Sequence, residues 1–311
     1  MHLHTEYDMR LYTEKNNARH RRNIKRRRSD RTRRWFVMAI VICVVIALAA
    51  VCGVVYVSWN SFAAKKSYEQ LASDSVFEDV TAAPDKETQE GLSGQVPAWD
   101  GAGAVLAVDF ERLLSQNPDT VAWLHVPAAD VSYPVVYHAE NNDYYLHRAF
   151  DGAESAAGSI YLEHTNMPDF SDSNSFLYGH NMHDGSMFGR LRKRMLQDTA
   201  YTQEPYIYLY LPDNTVRRYL IFSCYDTTKD SDTYFTFSDD AAYDWYVNFV
   251  KTMSAQSVNN DNNADDTSSV AALAARKPIL TLSTCEGASG TPNRFVVHGV
   301  LVGELKPGRG N

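Results

Sequence analysis

The apolar positions of this 311-residue chain fall into three regimes. Trp35–Val57 is continuously apolar and carries no charged residue. Ser73–Ala104 is acidic and rich in Ala, Gly, Pro, Ser and Thr, with little periodicity, and reads as a linker. From Val105 onward, β-branched and aromatic runs alternate with turn residues at hairpin-like spacing. Strands are expected at Thr120–His125, Val131–Tyr137, Gly158–Glu163, Ser175–Tyr178, Tyr206–Leu211, Arg217–Cys224, Ile279–Thr284 and Arg294–Val302. Helical spacing runs over Asp109–Gln116, stopped by Asn117-Pro118-Asp119, and over Asp239–Met253, where Ala242, Trp245, Phe249 and Met253 keep step. Asp184-Gly185-Ser186 is placed to cap a helix Met187–Gln197. Ser61–Ala72 continues as a short helix beyond the apolar run, and Ser254–Ser269 reads as a mobile polar insertion. These elements predict one mainly-β domain, a closed β-barrel of about eight strands with peripheral helices, and no internal repeat.

Length and charge turn the first regime into a membrane anchor. At 1.5 Å per residue, Trp35–Val57 reaches roughly 35 Å, enough to cross a hydrocarbon core of about 30 Å. Trp35 at one end, with Tyr56 and Trp59 at the other, suits the interfacial belt. The formal net charge of −8 hides an asymmetry: Met1–Arg34 holds 12 basic and 4 acidic residues, and the remainder nets −16. The basic arm abutting the span predicts a cytoplasmic N-terminus and an extracellular remainder. Ala47-Leu48-Ala49 resembles a signal-peptide cleavage site, but the apolar run continues past it and the preceding arm is long for such a peptide. Beside a span, the arginine-rich arm reads as an orientation signal that also meets anionic lipid, not as a nucleic-acid site. The expected organisation is a cytoplasmic tail at 1–34, a span at 35–57, a stalk at 58–104, a globular domain at 105–305 and a short tail at 306–311.

The chemistry is expected in the last hairpin. Cys285 ends one strand and Arg294 begins the next, and a hairpin sets such positions close together. A fixed cation beside a thiol favours the thiolate, and the same cation can stabilise an oxyanion. Cys43 and Cys52 lie in the span, so Cys224 and Cys285 are the extracellular pair, and Cys224, in an apolar run, reads as a buried small residue. A cysteine nucleophile needs a proton carrier. His125, His138, His147, His164, His180, His183 and His298 are available, and spacing does not choose among them. His180 has the strongest local case, following a buried-looking strand and a glycine at the edge of a polar turn, whereas His298 reads as a structural histidine. There is no CxxC, HExxH, phosphate loop or EF-hand spacing, so no metal or cofactor is expected.

Thr281-Leu282-Ser283-Thr284-Cys285 followed by Arg294-Phe295-Val296-Val297 resembles the active-site hairpin of sortases, and the central serine resembles class B. Tyr178-Gly179-His180-Asn181-Met182 with Asp184-Gly185-Ser186-Met187-Phe188 is similar to the class B histidine segment. Val121–Leu124, Tyr133–Val136, Asn142–Leu146 and Gly158–Tyr161 follow in that family's order, so the resemblance covers roughly Val105–Leu305. It implies a sortase barrel behind a transmembrane helix and a cysteine transpeptidase that uses no cofactor. Cys285 would attack the threonine carbonyl of an LPxTG- or NPxTN-type sorting motif, His180 would carry the proton and Arg294 would hold the oxyanion. Ser283, Asn142, Leu146 and Glu286 would line the peptide groove. Implied partners are sorting-motif proteins or pilins, an amine of a peptidoglycan precursor, and the bilayer. A rival Cys/His cell-wall peptidase or L,D-transpeptidase would place His-Gly before its cysteine, whereas His298-Gly299 follows it. A catalytically silent adhesin or scaffold on the same fold is the non-enzyme alternative.

Overall fold

The computed structural model describes residues 2–78, 106–197, 202, 204–237, 239–254, 265–285 and 291–306. For 2–18, 20–33, 57–58, 60–61, 78, 265–268 and 285 the description is of the backbone. Two compact units divide between Trp59 and Asn60. The first is the N-terminal part of one helix, α1 (His2–Ser75). Within it Arg34–Tyr56, 23 residues with a mean hydropathy of 3.1, is long and apolar enough to cross a membrane. A helix meets that requirement because its backbone groups bond to one another and leave none facing lipid.

The second unit begins with the last turns of α1 and contains a closed barrel. Its strands are β3 (Thr120–Val126), β4 (Val131–Val136), β5 (Ile160–Leu162), β6 (Asn174–Gly179), β7 (Tyr206–Tyr210), β8 (Val216–Thr228), β9 (Ile279–Cys285) and β10 (Asn293–Leu305). Round the barrel the order is β10-β8-β7-β3-β4-β5-β6-β9, as the expected closed eight-stranded fold requires. Six neighbouring pairs are antiparallel; β4/β5 and β6/β9 are parallel. Two short strands, β1 (Val76–Glu78) and β2 (Leu106–Val108), pair antiparallel outside it.

Strand alternation divides the apolar residues between two cores. Along β10, Phe295 and Val297 join the interior cluster with Trp123, Leu177, Leu209, Leu280 and Leu282. Val296, Val300 and Val302 face a second cluster formed with Tyr243, Tyr246, Val247 and Val250 of α4 (Asp240–Met253) and Ala272 and Leu273 of α5 (Asp265–Ala274). A fully buried apolar side chain contributes roughly 1.5–3 kcal/mol, so a β10 apolar on both faces holds the barrel to its helical cover.

Three expectations change. The spacing of Trp245 and Met253 forecasts α4 correctly but marks its open side, since they are 46% and 41% exposed while Tyr243 and Tyr246 are buried. The helix after Ser186 is shorter than expected, α3 (Leu191–Leu196), because Asp184 Oδ1 turns back to Ser186 N at 3.0 Å and Met187 adopts a left-handed φ of 51°. The first part of the expected stalk is folded. Ala64, Tyr68, Leu71 and Ala72 form a helical stripe against the barrel core, with Tyr68 5% exposed. The folded unit therefore starts near Asn60 rather than Val105. Residues 79–105, and most of the insertion expected to be mobile (255–264), lie outside the described residues; its end is α5.

A directed polar chain runs through the second core. His298, on β10, lies 2.9 Å from Thr281 Oγ1 through Nδ1, and Thr281 donates to Asn174 Oδ1 at 2.9 Å. Asn174 Nδ2 donates to the Tyr246 hydroxyl at 3.0 Å, which donates to Thr233 O at 2.7 Å. Since Thr281 spends its proton on Asn174, His298 Nδ1 carries the donated hydrogen. Nε2 is then a buried acceptor for which the described residues supply no partner. Full burial pushes the His298 pKa down to about 3. His125, pushed down to about 4 by burial, behaves alike.

The unfolded chain therefore binds protons that the folded chain refuses between about pH 6.5 and pH 3, and stability falls as pH falls through that window. His298→Phe should flatten the acid limb of a pH–stability curve, removing a slope approaching 1.4 kcal/mol per pH unit. An unchanged limb in urea melts between pH 6.5 and 4.5 would show that His298 is not the group responsible.

Candidate active site

The parallel pair β6/β9 sets the C-terminal ends of both strands at one end of the barrel. Tyr178 is opposite Ser283 and Gly179 opposite Thr284, so the next residues, His180 and Cys285, emerge side by side. The antiparallel return of β10 makes Arg294 the register partner of Cys285. Positions 180, 285 and 294 thus converge although the first is about a hundred residues from the others in sequence.

Gly179 allows the histidine to sit there. A Cβ at 179 would drive into Ile160 Cδ1 and the Phe188 ring, both fully buried side chains. Beyond it, His180 O accepts from Phe188 N at 3.0 Å, fixing the turn that brings Met187 and Phe188 into the core. His180 Nε2 lies 2.7 Å from Leu146 O. A carbonyl only accepts, so Nε2 holds the hydrogen and Nδ1 is the nitrogen left for other work. His147 stacks on His180 with ring centroids 5.6 Å apart and planes at 21°. Desolvation lowers the His180 pKa, the Leu146 carbonyl raises it and the His147 ring lowers it, for a net depression. Near neutral pH the ring is therefore uncharged with its Nδ1 lone pair available.

Arg294 is half-buried, and its Nη1 donates to Thr291 O at 2.8 Å and Asn293 O at 2.9 Å. Those bonds tie the guanidinium to the loop preceding β10 and fix where its charge lies. Ser283 is 1% exposed, its hydroxyl 2.7 Å from that of Tyr234. Tyr234 ends a 3-10 turn, Asp232–Tyr234, and lies against Tyr178 and Phe176. Ser283 is therefore the floor beneath an aromatic cover, not an open groove residue. Asn142 is committed as well: Nδ2 donates to Glu163 Oε2 and Oδ1 accepts from His164 N, both at 3.0 Å. Leu146 meets the site through its backbone, by the carbonyl on His180. Glu286 lies outside the described residues.

Four of the other histidines are occupied elsewhere, and His183 is exposed. His138 stacks on Tyr144, His164 pairs with Glu163, and His125 and His298 are built into packed interiors. Among the described residues no group of three or more His, Cys, Asp or Glu is arranged to hold a metal. Cys224 is a free, fully buried thiol with its pKa pushed up to about 12 by burial, which makes it inert. A cavity of about 200 Å³ lies apart from the strand ends, between the last turns of α1, α2 (Phe110–Gln116) and Phe150. Tyr234 and His147 are the neighbours that sequence reading did not place. Periodicity carries no trace of contacts between distant loops.

Comparison with known proteins supplies independent findings. A family profile described as the sortase domain matches residues 124–302. Sortase B of Listeria monocytogenes is 28% identical over 238 residues, 76% of this chain and 87% of that protein. Sortase B of Staphylococcus aureus is 32% identical over 197 residues, 62% of this chain and 74% of that protein. The crystal structure of sortase B from B. anthracis in complex with AAEK1 superposes with a TM-score of 0.58 at 25% identity, covering 79% of this chain and 99% of that one. A Staphylococcus aureus sortase B–substrate complex gives 0.53 at 28% identity, covering 64% and 85%.

The stacked imidazoles make a measurable prediction. Two like charges 5.6 Å apart repel by roughly 0.7 kcal/mol even at the dielectric of water, about half a pKa unit. In His147→Asn, the His180 pKa read by NMR titration should rise by at least about that amount. A fall or no change would mean that the two rings do not share charge.

Proposed function

The chain belongs to the sortase family, among its class B members, and is a cysteine transpeptidase; from that premise we propose which residues perform the transfer and on what. Cys285 is the nucleophile, His180 the proton carrier and Arg294 the cation for the oxyanion. As the Cys285 sulfur attacks the threonine carbonyl of the sorting motif, its proton passes to His180 Nδ1. The carbonyl π electrons move onto oxygen, where the Arg294 guanidinium stabilises the negative charge. Collapse of the tetrahedral intermediate breaks the C–N bond, and the imidazolium gives its proton to the departing amine. The thioester that remains is attacked by an incoming amine, whose proton goes to Nδ1 and then to the released sulfur. Two acyl transfers replace one difficult amide exchange.

What supports the reading is one observation, the register that aligns Gly179 with Thr284 and Arg294 with Cys285. The depressed His180 pKa supports the order of proton movements, because a neutral ring accepts first and donates second. The motif is of the LPxTG or NPxTN type, cut after threonine, and the acceptor is an amine of a peptidoglycan precursor or a pilin. Asn142 and Leu146 shape one wall of the groove, the first by bracing Glu163 and the second by its carbonyl. Ser283 contributes through Tyr234, and Glu286 contributes from the loop after the cysteine. The anchor holds the N-terminus in the cytoplasm and the barrel outside, as the basic arm before the span favours.

Incubation with a sorting peptide should add the acyl fragment to Cys285, visible by mass spectrometry, and Cys285→Ala should abolish the adduct. Absence of an adduct on the parent protein would remove the assignment. His180→Ala should lower kcat/KM by ~10³-fold or more, and Arg294→Lys by ~10²-fold, since a point charge does not reproduce the planar fork. Parent-like rates for Arg294→Lys would reduce its role to charge alone. A C-terminal alkaline phosphatase fusion should be active in cells, and an inactive fusion alongside an active cytosolic reporter would reverse the orientation.

A further inference from the structure

The last turns of α1 reach the loop on which His180 rests. Tyr68 is buried, and its hydroxyl donates to Gly158 O at 2.9 Å, accepts from Phe150 N at 3.0 Å and lies 2.9 Å from Ser159 Oγ. All three partners belong to the segment between β4 and β5. That segment has no regular structure of its own, so its shape depends on such ties.

Gly158 is the residue that matters most. Its φ of 58° is left-handed, and a Cβ there would press on the carbonyl oxygens of Leu146 and Tyr145. The Gly158 backbone therefore backs directly onto the Leu146 carbonyl, whose oxygen accepts the His180 Nε2 hydrogen at 2.7 Å. Ser159 closes the other side, its N donating to Tyr145 O at 3.1 Å and its Oγ to Arg148 O at 2.8 Å. A continuous line runs from Tyr68 through Gly158 and Leu146 to the imidazole.

We propose that Tyr68 is a positioning residue for the transpeptidase: by holding Gly158 and Phe150, it sets the Leu146 carbonyl that fixes the tautomer and direction of His180. The reading rests on the assignment of His180 as proton carrier but is measurable apart from it. Docking of these turns of α1 thereby becomes a condition for full activity, and not only a way of burying an apolar stripe. The physical cause is geometric. An imidazole pinned at Nε2 presents Nδ1 in one direction, and loosening the pin by about 1 Å can cost up to ~10²-fold in rate.

The test uses the full chain in detergent micelles or nanodiscs. Tyr68→Phe keeps the ring and its edge contact with Tyr133 but removes the hydroxyl. It should lower kcat about tenfold with KM within about twofold. It should also lower the His180 pKa and speed exchange of its Nε2 proton in imidazole NMR, because the carbonyl that favours the charged ring is no longer held. Ser159→Ala should move the same signals in the same direction by less, and it carries the test if Tyr68→Phe does not fold. Lys66→Ala, exposed on the same helix, should leave them at parent values. A His180 signal and kcat unchanged in a folded Tyr68→Phe would overturn the proposal. If the signal moves while His180→Ala retains full turnover, the coupling stands and the assignment of His180 fails instead.

Discussion

Everything at the candidate site depends on the parallel pairing of β6 with β9. A parallel pair cannot be joined by a tight turn, and here the connection between the two strands runs from residue 180 to residue 278 and contains α3, β7, β8, α4 and α5. Closing so long a connection costs loop entropy, offset by the apolar core that Leu177 of β6 shares with Leu280 and Leu282 of β9, and by the second core that takes Ile279. In return, two strand ends arrive together from distant parts of the sequence. Antiparallel hairpins alone would set Cys285 beside Arg294 but would leave the histidine unspecified.

That division explains how much the sequence disclosed. Cys285 and Arg294 belong to one hairpin, so strand propensity and loop length are enough to pair them. Barrel strands were legible for the same reason, being β-branched and aromatic runs between turn residues. His180 was not separable from six other histidines by spacing, because a register between β6 and β9 is a tertiary fact; family resemblance supplied what periodicity lacked. The helix expected from Met187 failed on a single left-handed residue. The fold of Asn60–Ser75 onto the barrel was hidden because its stripe is short, Ala64, Tyr68, Leu71 and Ala72 set among polar residues, which hydropathy hardly distinguishes from a linker. Α4 misled differently: its aromatic spacing announces a helix, yet tyrosines with hydroxyls to satisfy, not Trp245, took the buried face.

Polar groups are used in two contrasting ways around these strands. Below the surface, the chain from His298 to Thr233 is directed, each donor answered by one acceptor, and it leaves a nitrogen that is costly to protonate. A phenylalanine could fill the volume but could not tie β10, β9, β6, α4 and the Asp232–Tyr234 turn to one another. The gain is a fixed relation between the strands and the turn that carries Tyr234 over Ser283, and buried networks of this kind specify geometry more than they add stability.

At the strand ends the same chemistry suits the proton carrier proposed at His180. His180 is half-buried, and its depressed pKa comes first from lost water, with the Leu146 carbonyl working against it. These opposed effects are not redundant. Desolvation alone would leave a neutral ring free to choose either tautomer and to turn. A carbonyl alone, in water, would hold the ring charged more of the time. Together they give a ring that is neutral at rest, with its hydrogen on Nε2 and its lone pair on Nδ1, on a residue that follows Gly179 as Cys285 follows its register partner Thr284. The carbonyl also lowers the cost of the imidazolium once it forms. A proton carrier must serve in both directions, and neither desolvation nor the carbonyl would make it do so alone.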